Sequence, residues 1–64
     1  MVRINGEWQD LAGKSLAAFL AESAYDLGRI AVERNGEIIP KSRYAETVLE
    51  EGDAVEIVGF VGGG

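Results

Sequence analysis

The sequence predicts a small α+β domain in which one helix covers a mixed β-sheet. Three observations lead there. Short β-forming runs recur along the 64 residues, two Asn-Gly pairs separate neighbouring runs, and one stretch alone carries apolar residues at spacings of three and four. The resulting order is ββαβββ. Two hairpins cannot bury their apolar faces alone, so the helix is expected to cover them.

Val2-Arg3-Ile4 alternates apolar and polar side chains, and Asn5-Gly6 follows. Asn-Gly is a strong hairpin signal because both central residues of a type I′ turn take positive φ. Glu7 to Asp10 then forms the return strand. Leu16, Phe19, Leu20, Ala24 and Leu27 fall on one helical face, with Ser15 as N-cap and Gly28 as the stop. Ile30 to Arg34 reads as the third strand, Asn35-Gly36 as the second hairpin turn, and Glu37-Ile38-Ile39 as the fourth strand. Pro40 lacks an N–H and suits a strand exit. Lys41 to Tyr44 reads as a turn or short helical piece, and Leu49 to Asp53 as a polar turn anchored by Leu49. Ala54 to Phe60 is the last strand. The expected core is Val2, Ile4, Leu16, Phe19, Leu20, Ile30, Val32, Leu49, Val55 and Ile57. Period-two alternation then places Val58 and Phe60 on the opposite, outer face.

Composition narrows the function. The chain holds neither Cys nor His. Side-chain thiol chemistry is therefore excluded, along with the commonest general base and metal ligand. A net charge of −5 argues against general affinity for nucleic acid phosphates and favours a partner with a basic docking surface. No apolar run approaches the roughly 18 residues of a membrane span, and no signal-peptide pattern opens the chain. A cytosolic location is the expectation. Gly13-Lys14-Ser15 echoes a phosphate-binding loop, but the upstream glycine of that motif is absent. Glu50, Glu51 and Asp53 are adjacent carboxylates in a turn and read as a solvated cluster, not a cation site.

The final strand runs into Gly62-Gly63-Gly64. Three residues without side chains make a thin peptide that another protein's backbone can approach closely. Residues 1–61 read as the folded domain and 62–64 as a flexible tail. Extended, Val61 to Gly64 spans roughly 13–14 Å at about 3.3–3.6 Å per residue, enough to enter a recessed site on a partner. Ordering such a tail costs on the order of 1–2 kcal/mol per residue, which docking of the domain must offset. The expectation is that the Gly64 carboxyl is the reacting group, that Gly62 and Gly63 carry it into partner sites, and that Val58 and Phe60 are apolar docking anchors.

The chain as a whole resembles the ThiS family of sulfur carriers of thiamine thiazole synthesis, which have the ubiquitin-like β-grasp fold. The residues that carry the resemblance are Ile4 to Glu7, Ser15 to Ala17, Ile30 to Ser42, Leu49 to Asp53 and Val55 to Gly64. The resemblance implies that an E1-like adenylating enzyme of the ThiF type uses ATP and Mg²⁺ to activate Gly64. It further implies conversion to a thiocarboxylate by a sulfur donor system fed by a cysteine desulfurase, then delivery to a thiazole synthase of the ThiG type. On that view the chain is a protein co-substrate and not an enzyme, and it binds no cofactor itself. The residues leave open a related carrier of the molybdopterin synthase small-subunit type, a ubiquitin-like modifier joined to lysines through Gly64, and a binding module whose tail has no chemical role.

Overall fold

A computed structural model describes residues 1–59. The strands are β1 (Val2–Ile4), β2 (Glu7–Gln9), β3 (Ile30–Arg34), β4 (Glu37–Ile39) and β5 (Ala54–Gly59). One helix, α1 (Leu16–Glu22), separates the two hairpins. Short 3₁₀ turns occupy Leu27–Arg29 and Lys41–Arg43. The sheet order is β2-β1-β5-β3-β4, with β1 parallel to β5 and the other neighbours antiparallel. This is the β-grasp arrangement that the sequence predicts.

Both Asn-Gly pairs form the turns expected of them. Asn5 and Gly6 have φ of 50° and 88°, and Asn35 and Gly36 have 51° and 88°. The Ser15 hydroxyl accepts a hydrogen bond from the Ala18 N–H at 3.1 Å, which caps α1. Two further N–H groups of the first turn are satisfied by a loop: Leu16 donates to Thr47 O at 2.7 Å and Ala17 to Tyr44 O at 3.1 Å.

The helix is shorter than the periodicity predicts. It ends at Glu22, and Ala24 and Leu27 lie outside it and are exposed. Local side-chain bonds win over the pattern. The Ser23 hydroxyl donates to Phe19 O at 2.9 Å while its backbone turns extended, and Asp26 accepts from the Gly28 N–H at 3.0 Å to open a separate 3₁₀ turn. Gly28 therefore sits inside that turn and is not the helix stop.

All ten expected core residues are buried. Tyr44 joins them, an aromatic in an otherwise polar loop. Burial pushes the Tyr44 phenol above the usual tyrosine range. The folded state thus holds this proton more tightly than the unfolded chain. Its contribution is fully present below pH 10 and is lost as pH rises through the higher folded value. Tyr44→Phe is expected to flatten the alkaline limb of a stability profile while changing stability at neutral pH little. Alkaline melts of both proteins check this, and identical limbs would refute it.

Candidate functional site

β5 is both the final described strand and the middle strand of the sheet. Its two faces differ as period-two alternation requires. Val55 and Ile57 point into the core, whereas Val58 is 57% exposed on the opposite face, as expected. Register places Val58 beside Ala31, and Glu56 beside Glu33, which in turn lies beside Ile38 on β4. At the other side of this open face, Arg3 pairs with Trp8 across β1 and β2, its guanidinium 5.7 Å from the indole centroid. Trp8 therefore lies against Arg3 on the open face of the edge strand β2 and remains largely exposed.

The Glu33–Glu56 pair costs stability, because like charges directly opposite in a sheet repel. Among the described residues neither carboxylate has an ion-pair partner. The open face thus presents apolar side chains around a concentration of negative charge. A partner with a basic centre flanked by apolar side chains fits that pattern.

Asparagine side chains from the two hairpin turns hold β5 at its start and at Ile57. Asn5 Oδ1 accepts from the Ile57 N–H at 2.7 Å, and Asn5 Nδ2 donates to Ile57 O at 3.2 Å. Asn35 Oδ1 accepts from the Ala54 N–H at 2.9 Å, and Asn35 Nδ2 donates to Asp53 Oδ1 at 3.0 Å. Asp53 is buried and also accepts from the Glu50 N–H at 2.9 Å, with Arg34 at 3.6 Å. Sequence reasoning assigned these asparagines to turn chemistry alone. The available signal was the choice of Asn, where Gly would also make the turn, at both sites.

Glu50, Glu51 and Asp53 are not the uniformly solvated cluster expected: Asp53 is buried among the groups just described, because its carboxylate closes the turn on backbone and Asn35 donors, Glu51 pairs with the Met1 amino group, and Glu50 stays exposed. Among the described residues no three His, Cys, Asp or Glu side chains converge on a point. An open groove of about 580 Å³ lies between the first hairpin and the end of α1, lined in part by Ile4, Gln9, Phe19 and Tyr25. The Ser23 hydroxyl in its wall is committed to the Phe19 carbonyl, so the groove holds no activated nucleophile. Among the described residues no helix is long and apolar enough to cross a membrane. Phe60, Gly62, Gly63 and Gly64 lie outside the described residues.

The sequence profile of the ThiS family matches residues 2–64. The chain belongs to the ThiS family. It is 42% identical to the sulfur carrier protein ThiS of Bacillus subtilis and 38% identical to that of Thermus thermophilus, with all of this chain and all of each relative covered. It is also 48% identical over 62 residues to a thiazole synthase of Paramagnetospirillum magneticum. That match covers 95% of this chain but 19% of the larger protein, so the chain spans about a fifth of that relative's length. The crystal structure of the thiamine biosynthesis protein ThiS from Geobacter metallireducens superimposes with a TM-score of 0.78 at 31% identity, covering 98% of this chain and 97% of that one. The ThiS body is therefore present from β1 through β5.

Proposed function

We propose that this ThiS-family chain is a sulfur carrier for thiamine thiazole assembly, with the Gly64 carboxyl as the cargo site. The observation that carries the reading is the end-to-end correspondence with two sulfur carrier proteins. The fold supports it: the central strand β5 leads from a braced sheet toward the glycine run.

A carboxylate is a poor electrophile. Reaction of Gly64 with Mg·ATP on an E1-like partner of the ThiF type gives an acyl-adenylate and releases pyrophosphate. With hydrosulfide as nucleophile the next step balances. The bond from the acyl carbon to the AMP oxygen breaks, an acyl–sulfur bond forms, and the proton goes to solvent. Sulfur fed by a cysteine desulfurase arrives instead as a persulfide: its terminal sulfur displaces AMP to give an acyl disulfide, and a donor-system thiol then cleaves the S–S bond, becoming part of a disulfide as the thiocarboxylate leaves. The thiocarboxylate then keeps a nucleophilic sulfur for a ThiG-type thiazole synthase, a partner favoured by the thiazole synthase relatives. ATP chemistry belongs to the partner, and the carrier supplies the docking face and the tail.

Incubation with an adenylating enzyme, Mg·ATP and sulfide tests the reading by intact mass. Exchange of one oxygen for one sulfur, mapped to Gly64, is the expected result. An unchanged mass, with an enzyme proven active on another carrier, would overturn it. Val58 is the docking anchor within the described fold, and Phe60 is its proposed companion. Val58→Ser is expected to weaken partner binding by roughly fivefold to tenfold, in line with one partly buried apolar side chain. Its melting temperature should stay near wild type, because Val58 is already exposed. Calorimetric titration with unchanged affinity would remove Val58 from the interface.

A further inference from the structure

The parallel ladder between β1 and β5 runs one rung longer than the strand that makes it. Arg3 N–H donates to Asp53 O and Asn5 N–H to Val55 O, both at 2.9 Å. Residue 7 would supply the next rung, but Asn5 and Gly6 have already turned the chain into β2. The Asn5 side chain supplies it instead, through the paired bonds to Ile57 N–H and O. A primary amide offers the same donor and acceptor as a peptide unit, so it can stand in for a strand residue. The turn itself does not require this, since glycine also takes positive φ.

We infer that Asn5 is a positioning residue for the reacting C-terminus, a role that rests on the sulfur-carrier reading. Ile57 is the point on β5 gripped last from the β1 side, two residues before Gly59. Holding both of its backbone groups on the β1 side, while β3 pairs with Gly59 on the other, fixes the orientation of the last described residues of β5. A tilt there shifts the point from which the tail starts relative to the docking face, and a misplacement of about 1 Å at a reacting centre can cost roughly 100-fold in rate. Asn35 makes the matching clamp at the opposite end of β5, on Asp53 and Ala54. It braces the fold at the start of the strand, away from Gly59, and provides an internal control.

The test compares wild type, Asn5→Gly, Asn5→Asp and Asn35→Gly as substrates in ATP–pyrophosphate exchange on the adenylating enzyme, well below every melting temperature. Glycine keeps each turn and removes the amide. Asn5→Gly is expected to lower kcat roughly fivefold to tenfold, the equivalent of about one hydrogen bond's net worth, with KM within about twofold. Hydrogen exchange at the Ile57 amide should accelerate in parallel. Asn5→Asp retains the acceptor but sets a carboxylate oxygen against the Ile57 carbonyl, so its loss of kcat should at least match that of Asn5→Gly. Asn35→Gly should lower the melting temperature and leave kcat at the wild-type value. A wild-type kcat for Asn5→Gly would overturn the role, as would an equal loss of kcat in Asn35→Gly. Absence of exchange with the wild-type chain would instead overturn the sulfur-carrier reading, and this role with it.

Discussion

Leu20→Ala is expected to cost about 2–5 kcal/mol of folding stability, the range for removing a leucine side chain from a packed core. Leu20 is 1% exposed and sits on the buried face of α1 with Leu16 and Phe19. The helix has only seven residues, too few to persist without packing against the sheet. A single core in a domain this small rarely supplies more than about 3–5 kcal/mol. The variant should therefore be substantially unfolded near physiological temperature. Each kcal/mol corresponds to a drop of about 4–8 °C in Tm for domains near this size. Leu20→Met, which nearly conserves volume, should cost less than about 1.5 kcal/mol. Urea and thermal melts of both variants check the pair. A Leu20→Ala protein as stable as wild type would mean that α1 does not close the core.

Deletion of Gly64 is expected to abolish thiocarboxylate formation while leaving the fold intact. The core residues span Val2 to Ile57, so the deletion touches none of them. The truncated chain still ends in a glycine carboxylate, and the chemical group is unchanged. Its position is not: one residue fewer shortens the reach by about 3.3–3.6 Å. Against a positional tolerance of about 1 Å for roughly 100-fold in rate, that loss exceeds what docking can correct. Intact mass after reaction with Mg·ATP and sulfide, alongside a thermal melt, checks both halves of the expectation. Normal thiocarboxylation of the shortened chain would sink the mechanism. An unfolded product would show that the tail also supports the body.

Much of this architecture was legible in the sequence because it follows from short-range chemistry. The two Asn-Gly turns fix two hairpins, and alternation in Val55 to Val58 sorts core from outer face. The length of α1 was not legible. Ala24 and Leu27 continue the helical spacing, yet the bonds of Ser23 and Asp26 to nearby backbone end the helix first. Tyr44 was missed because one buried aromatic among polar neighbours carries no period. The clamps on β5 were missed for a different reason. Asn5 and Ile57 are 52 residues apart, and only the parallel pairing of β1 with β5 brings them together. Of the proposed site, the outward position of Val58 could be read from parity, whereas the Glu33–Glu56 opposition required the strand register.

The last described strand is also the one that joins the two hairpins. Before Ala54 to Gly59 has been synthesised, β1–β2 and β3–β4 have no common edge, and neither hairpin is stable alone. The core therefore closes only once Ala54 to Gly59 has paired with β1 on one side and β3 on the other. Folding of the body thus waits on its central strand: a polypeptide cut before Ala54 leaves two unpaired hairpins, whereas one that includes Gly59 can make every pairing of the sheet.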